Sequence, residues 1–187
     1  MKFIKETLNE ISDNFINLAN KSAPQIEEAS KLIIKSLQNG GKIMFCGNGG
    51  SAADSQHLSA ELVGRYMENR KPLSSVSLTT DTSVITAISN DFSFDEIFSR
   101  QLESIGNEGD ILYAISTSGK SKNIIAALKI SRRLKIKTIG VTGSDDSGFK
   151  GLCDIIISAP ASRPDRIQEM HIAIGQIICE ILESELC

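Results

Sequence analysis

The sequence has little of several residue types, and each scarcity narrows the range of possible functions. It contains no tryptophan, two histidines, four cysteines and four prolines among 187 residues. The cysteines form no C-x-x-C pair, which indicates reduced thiols and predicts a cytoplasmic protein. The net charge of −3 leaves no basic surplus for nucleic-acid phosphates, so we expect no nucleic-acid partner.

Long apolar runs are also missing. No segment is apolar enough over enough residues to span a membrane, so we expect no membrane partner. The first ten residues carry early acids and no apolar core, and we therefore expect no signal peptide. With 41% apolar and 23% charged residues, the composition is that of an ordinary globular protein with one substantial core.

Short apolar segments alternate with segments of helical periodicity along most of the chain. Helical crossovers are required between parallel strands, and strands that are apolar on both sides are typical of sheets covered on both faces. We therefore predict an α/β fold, a doubly wound five-stranded parallel sheet with N-terminal helices. The predicted strands are 42–46, 74–78, 111–115, 138–142 and 154–158. The predicted helices of this alternating part are about 51–67, 83–90, 94–105, 121–134 and 163–187.

The first forty residues predict two helices that serve oligomerisation. In the first helix, apolar residues recur at intervals of four and three, which is a seam of heptad type: Ile4, Leu8, Ile11, Phe15 and Leu18. A second helix is predicted from Pro24 to about Gln38, with proline in its first turn. Since one domain need not bury this stripe alone, the seam predicts an oligomer; the alternative is that the helix packs only on its own sheet. The whole chain, 1–187, is predicted to be a single domain with oligomerisation helices at about 1–40.

Two loops rich in serine and glycine follow the first and third strands. They are GNGGS (47–51) and STSGKS (116–121), and each leads directly into a helix. Glycine lets the backbone approach a ligand, a helix N-terminus offers free N–H groups, and hydroxyls add donors. Because ligands bind beyond the carboxyl ends of the strands in such sheets, these loops predict an anion site. A phosphate suits the second loop.

Two other interpretations of these loops stay open. The serines can be no more than helix caps and turn residues. The segment GNGGSA (47–52) also matches the dinucleotide fingerprint G-x-G-x-x-A, which expects an acid about 20 residues later, near the end of the second strand. Glu68 has this spacing but precedes the strand, whereas Asp81 lies near the strand's end but farther along.

The helix that begins at the first loop carries His57 and Glu61 on one face, since four residues turn about 400°. For an isolated pair, a surface contact is the simpler interpretation. Here the pair lies beside an anion loop in a chain with only two histidines. A phosphate site, a carboxylate base and an electrophile are the parts that aldose–ketose isomerisation of a sugar phosphate needs. The second histidine, His171, can equally be a polar face residue.

These segments resemble the phosphoheptose isomerases, members of the sugar isomerase (SIS) domain family. The matching pieces, in family order over nearly the whole chain, are CGNGGSAADSQHLSAELVGRY (46–66), LTTDTSVITAISND (78–91), FSRQLES (98–104), ISTSGKSKNI (115–124) and RIQEMH (166–171). The resemblance implies a SIS fold with flavodoxin-like strand order. It implies isomerisation of sedoheptulose 7-phosphate to D-glycero-D-manno-heptose 7-phosphate through an enediolate, the first step toward activated heptose for surface glycans such as lipopolysaccharide. It also implies a cytoplasmic homotetramer with shared active sites and one zinc per subunit.

The same resemblance assigns roles to individual residues. Glu61 matches the proton-transfer base, and Gln176 and His171 are the other candidate catalytic residues. The implied zinc ligands are His57, Glu61, Gln168 and Gln176. The implied substrate and phosphate contacts are Asn48, Gly49, Gly50, Ser51, Glu61, Arg65, Asn90, Asp91, Ser116, Thr117, Ser118, Ser121 and Gln168.

One position departs from the family pattern. Gln176 stands where the family usually has a histidine, which is its fourth metal ligand and its proposed second catalytic group. An amide cannot shuttle a proton and is a poorer zinc ligand than imidazole, so the predicted zinc site is modest. The departure leaves open a non-catalytic binding protein of the replication-initiation-regulator type. Such relatives typically lack the carboxylate that Glu61 supplies here.

Overall fold

Buried apolar segments form five strands, and six α-helices surround them, in a computed structural model that describes all 187 residues. The strands are β1 (Ile43–Gly47), β2 (Ser75–Ser77), β3 (Ile111–Ser116), β4 (Lys137–Thr142) and β5 (Ile155–Ser158). The helices are α1 (Lys2–Gln38), α2 (Gly50–Val63), α3 (Thr82–Asp91), α4 (Ser99–Ile105), α5 (Lys122–Arg133) and α6 (Pro164–Leu186). All five strands lie where the sequence predicts them, to within about one residue at each end.

Neighbouring strands are all parallel, and their order is β2-β1-β3-β4-β5. Side chains of a strand alternate between the two faces of the sheet. On one face, Phe45 and Tyr113 pack in a core with α1, α2 and α6. On the other face, Met44 and Leu112 pack with α4 and α5. Both faces are covered and the order is flavodoxin-like, which confirms the predicted doubly wound fold.

Helix α1 corrects the prediction of two N-terminal helices. It is one continuous helix of 37 residues, and Pro24 lies in its interior. An internal proline removes a hydrogen bond and costs about 3 kcal/mol. Buried residues on both sides of it, Leu18 and Ile26, pack in the core, and the Ser22 hydroxyl donates to the carbonyl of Ser158 at 2.8 Å. These tertiary contacts offset the cost of the proline.

The helix predicted over 94–105 is divided into two. A short 3₁₀ turn (Phe94–Glu96) and α4 are separated by Ile97 and Phe98, whose side chains are buried in the core. Both residues keep α-region backbone angles, but the regular helix is interrupted at them. The sequence pattern, which is helical throughout, does not show this interruption.

The predicted N-terminal seam is only partly covered within one chain. Leu18 is 3% exposed, whereas Ile4 and Leu8 are 60% and 59% exposed. The apolar stripe therefore continues past the point where α1 leaves the domain core. No helix, α1 included, is both long enough and apolar enough to cross a membrane.

Helix α2 ends at Val63, four residues before its predicted end, because a buried carboxylate captures the chain that follows. Glu183 of α6 accepts hydrogen bonds from the backbone N–H groups of Tyr66, Met67 and Glu68 at 2.7–3.1 Å. It also accepts one from Nε of Arg70 at 2.8 Å. Burial disfavours the charged form of Glu183, but these hydrogen bonds outweigh that effect and lower its pKa from 4.5 to about 2. The charged carboxylate therefore fixes the loop after α2 to α6.

Replacing Glu183 with glutamine should lower the stability of the fold in a pH-dependent way. A depressed folded-state pKa adds stability that is present above the unfolded value and disappears as the pH falls from about 5 to about 2. Urea unfolding at neutral and acid pH should show Glu183→Gln less stable than the parent at pH 7, with the difference shrinking in acid. Glu185→Gln, at an exposed position of the same helix, is the matched control. A difference that stays constant with pH would contradict the assigned charge.

Candidate active site

The two serine- and glycine-rich loops lie side by side at the carboxyl edge of the sheet. Strand β1 pairs directly with β3, and the last pair in this register is Gly47 with Ile115. The helix that follows β1 packs on the face opposite to the helix that follows β3. In flavodoxin-like sheets this point, where the connections diverge, is the usual ligand crevice.

The first loop turns tightly into α2 through glycine. Gly49 has a φ of +58°, a left-handed conformation that favours glycine, and it occupies the N-cap position. No side chain caps this helix, so the interpretation of Ser51 as its cap is wrong. Ser51 instead lies buried in the first turn. The N-terminus of α2 is thus built from backbone groups that can face an anion.

The second loop places hydroxyls around a glycine turn. Ser116 is buried, and its hydroxyl lies 3.0 Å from that of Ser121, the N-cap residue of α5, whose side chain makes no capping bond. Ser118 is exposed and accepts the N–H of Lys120 at 3.2 Å. Thr117 lies half-buried between them. Helix capping therefore does not account for this group of hydroxyls.

A reciprocal pair of amides joins the two loops. Nδ2 of Asn48 donates to Oδ1 of Asn123 at 2.9 Å, and Nδ2 of Asn123 donates to Oδ1 of Asn48 at 2.8 Å. Asn48 is a predicted site residue, but Asn123, in the first turn of α5, is not. A short amide in the first helical turn after the STSGKS loop is the only sequence signal that points to it.

The loop after β4 packs against the second loop and brings an acid close to it. A Cβ on Gly148 would lie 2.1 Å from the carbonyl oxygen of Gly119, so the two backbones touch there. The carboxylate of Asp145 pairs with Nζ of Lys120 at 2.7 Å. Hydrogen bonds from Lys120 and then Ser147 hold the pKa of Asp145 well below its ordinary range. This acid is therefore ionised and matched by a cation beside the hydroxyl loop.

His57 and Glu61 contact each other on α2, as their spacing predicts. Nε2 of His57 lies 3.1 Å from Oε1 of Glu61, and the side chains are 49% and 22% exposed. Arg65 lies just beyond the helix, where its guanidinium donates to the carbonyl of Met67 at 3.0 Å. Within one chain, Arg65 is thus directed toward its own turn.

Helices α2 and α6 touch where they carry candidate residues. A Cβ on Gly50 would lie 2.7 Å from Nε2 of Gln168, and a Cβ on Gly175 would lie 2.4 Å from Cδ1 of Leu58. Gln168 therefore lies against the first loop. Gln176 follows Gly175 in sequence, next to this close contact, and is half-buried. The two glycines allow α2 and α6 to pack closely, which explains why the two glutamines of α6 lie near α2.

Three predicted site residues lie apart from this group within one chain. Asn90 and Asp91 are exposed at the end of α3, where Nδ2 of Asn90 donates to Oδ1 of Asp91 at 2.8 Å. His171 is 1% exposed, and neither ring nitrogen makes a hydrogen bond. Burial lowers the pKa of His171 to about 4, and the backbone of Thr142 acts in the opposite sense. His171 is thus a neutral core residue here, and its catalytic role stays a prediction.

The donor set around Glu61 fits zinc poorly. No three side chains of the histidine, cysteine, aspartate and glutamate types come together anywhere in the structure as a metal site would require. His57 and Glu61 are two such donors, and Gln168 and Gln176 add only amides. Zinc sites in proteins are built mainly from imidazole, thiolate and carboxylate.

The tertiary structure does not favour the dinucleotide interpretation. Asp81, one of the two acids that could bind a ribose, is the N-cap of α3 and accepts the N–H of Val84 at 2.9 Å. Glu68 lies in the loop held by Glu183 and not at the end of a strand. Asp81 follows β2 but caps α3 and lies farther along than the fingerprint expects, and Glu68 precedes the strand, so neither acid has both the position and the spacing of a ribose-binding acid.

Known proteins resemble this chain in sequence and in fold. A family model described as the SIS domain matches residues 7–143. The phosphoheptose isomerase of Akkermansia muciniphila is 46% identical over 185 residues, which are 99% of this chain and 97% of that protein. Among solved structures, phosphoheptose isomerase GmhA from Neisseria gonorrhoeae superposes with a TM-score of 0.92 at 38% identity, covering 98% of both chains. A phosphoheptose isomerase from Francisella tularensis gives 0.94 at 34% identity, covering 98% of this chain and 97% of that one. The chain therefore belongs to the SIS domain family, among the phosphoheptose isomerases.

Proposed function

We propose that the chain is an aldose–ketose isomerase that converts sedoheptulose 7-phosphate to D-glycero-D-manno-heptose 7-phosphate. The main support is that the two serine- and glycine-rich loops lie side by side at the crevice between β1 and β3. The helix that starts from the first of these loops bears the His57–Glu61 pair. The names of its relatives support the reaction. The product would lead to activated heptose for surface glycans such as lipopolysaccharide. The four free cysteines fit the reducing cytoplasm, where we place the enzyme.

Glu61 is the base of the proposed reaction. It removes a proton from C1 of the ketose, the C–H electrons form a C1=C2 double bond, and O2 becomes the enediolate oxygen. Glu61 then returns the proton at C2, while the O1 proton passes to O2, which leaves an aldehyde at C1 and a hydroxyl at C2. His57 holds one carboxylate oxygen of Glu61 at 3.1 Å, which leaves the other for the substrate.

The developing enediolate oxygen needs fixed hydrogen-bond donors. The amides of Asn48 and Gln168 both lie at the first loop, and each carries N–H donors. The proposed steps use no metal, because the donor set near Glu61 fits zinc poorly. The group that moves the proton between O1 and O2 is not Gln176, since an amide cannot shuttle a proton.

The phosphate end of the substrate occupies the second loop. Ser116, Ser118 and Ser121 supply hydroxyl donors, and each hydrogen bond to a charged group contributes about 1.5–3 kcal/mol. Because this group does not react, its binding free energy can orient C1 against the base. Pairing of Asp145 with Lys120 removes an uncompensated negative charge from the neighbourhood of the phosphate.

A second candidate function, a non-catalytic sugar-phosphate-binding protein with the same fold, is favoured by Gln176 alone. It would keep the hydroxyl loop but would not turn over substrate. Glu61, paired with His57 at 3.1 Å, favours the enzyme instead. Incubation of the protein with sedoheptulose 7-phosphate in D2O, monitored by NMR, distinguishes the isomerase from the binding protein. Only an isomerase gives product with solvent deuterium at C2.

Replacing Glu61 with glutamine should lower turnover by ~100-fold or more, the low end of what general-base catalysis contributes. Glutamine keeps the shape and removes the basicity. Glu68→Gln, at an exposed position of the following loop, is the matched control and should stay near the parent rate. Near-normal turnover by Glu61→Gln in a clean preparation would refute the assignment.

The exposed N-terminal stripe supports assembly into a homotetramer with shared active sites. Light scattering should give a mass about four times the 20.2 kDa of one chain. Leu8→Glu places a charge on the stripe, where Leu8 is 59% exposed in the single chain, and should reduce the mass. Lys5→Glu, off the stripe, should leave the mass unchanged. A monomer mass for the parent at micromolar concentration would refute the tetramer.

We also propose that zinc binds weakly, through His57, Glu61, Gln168 and Gln176, and that Gln176→His raises the affinity. Imidazole is a better zinc ligand than an amide, so this change adds a second strong neutral donor. Zinc titration by calorimetry should show tighter binding for Gln176→His than for the parent. Metal analysis of the parent as purified should show substoichiometric zinc. His57→Ala should abolish binding in both proteins. Equal affinities, or binding that survives His57→Ala, would show that these residues are not a metal site.

A further inference from the structure

Asn123 is a buried amide whose hydrogen bonds go to the first loop and to its own helix. It is 2% exposed, and its Oδ1 accepts from Nδ2 of Asn48 at 2.9 Å and from the N–H of Ile124 at 2.9 Å. Its Nδ2 donates to Oδ1 of Asn48 at 2.8 Å. Both lone pairs of the Asn123 oxygen are thereby used, and the pair closes a ring between the two loops.

This ring decides which way the amide of Asn48 points. An asparagine amide can turn over with little steric change, because its oxygen and nitrogen are nearly the same size. Asn123 is the only side-chain partner of Asn48 in the structure. With one N–H and one lone pair held by Asn123, Asn48 presents a single remaining N–H and a single remaining lone pair to the crevice.

We propose that Asn123 is a positioning residue of the reaction, which acts through Asn48 and not by touching the substrate. This inference rests on the proposed function, in which Asn48 donates to the reacting end of the sugar. Asn123 fixes the orientation of that donor before substrate arrives, and it ties the donor to the helix that follows the phosphate loop. A single amide pair thus fixes the position of the groups that bind one end of the substrate relative to those that bind the other end.

A simple role in holding the loops together does not explain the arrangement. The loops are already brought together by the pairing of β1 with β3 up to Gly47 and Ile115. The bond from Ile124 to Asn123 would be enough to order the start of α5. The remaining two hydrogen bonds join Asn123 to Asn48, and together they set the orientation of the Asn48 amide.

A double-mutant cycle of Asn48→Ala and Asn123→Ala tests the inference. Asn123→Ala alone should lower kcat/KM about tenfold, as expected for loss of hydrogen bonds worth roughly 1.4 kcal/mol. In the Asn48→Ala background, the same change should lower kcat/KM by less than about twofold. Losses that multiply in the double variant would overturn the proposal, because Asn123 would then act independently of Asn48.

The side-chain amide signals of Asn48 in a ¹⁵N–¹H spectrum give a second readout that does not depend on turnover. In the parent they should be well dispersed, and in Asn123→Ala they should move toward the positions of a free asparagine. Asn48 signals that do not change would overturn the inference. If the parent fails to isomerise sedoheptulose 7-phosphate while these signals do move, the proposed function fails and the orientation of Asn48 by Asn123 stands.

Ser131→Ala is the matched control for removal of a buried polar group from the same helix. Its hydroxyl is fully buried and has no partner, and the variant should keep the parent kcat/KM and the parent Asn48 signals. Should Asn123→Ala not fold, Asn123→Ser retains a short acceptor for the start of α5 but is too short to bridge to Asn48. Asn123→Ser should show the same loss of kcat/KM, the same small effect in the Asn48→Ala background and the same movement of the Asn48 amide signals. A parent kcat/KM in Asn123→Ser would overturn the inference.

Discussion

Parallel pairing of β1 with β3 is the contact on which the candidate site depends. It sets two loops that are far apart in sequence next to each other at one edge of the sheet, and the helices that follow them pack on opposite faces. A crevice between diverging connections is where open α/β sheets bind ligands. The N-terminus of α2 and the hydroxyls before α5 therefore lie side by side at this edge, as the proposed anion site requires.

Close packing of α2 against α6 builds the other wall of that space. Gly50 and Gly175 allow the two helices to approach, since a Cβ at either position would clash with a side chain of the opposing helix. Gln168 is brought against the first loop in this way. At the far end of the same pair of helices, Glu183 binds the chain that leaves α2. Glu61, the proposed base, thus lies on a helix held to α6 near both of its ends.

Polar contacts give the candidate site a directional precision that apolar packing cannot. The buried amide of Asn123 fixes the direction of the Asn48 amide, and at the surface the Lys120–Asp145 pair keeps an acid neutralised beside the hydroxyl loop. Hydrophobic burial is non-directional and would tolerate either orientation of an amide. Hydrogen bonds depend on direction, and they are costly to leave unmade in a buried place. The geometry of the candidate site is therefore set by a few polar contacts on an apolar frame.

Local pattern was enough to predict the strands, the fold class and the residues of the two loops, because alternation and turn chemistry depend on neighbours in sequence. The contact of His57 with Glu61 was predictable for the same reason, since helical geometry alone brings them together. Tertiary contacts decided the rest. Pro24 stays inside α1, and α2 ends at Val63, because partners more than a hundred residues away, Ser158 and Glu183, bind the chain there. Burial of His171 and recruitment of Asn123 likewise follow from how helices pack on the sheet, and no local pattern encodes which distant atoms will surround a side chain.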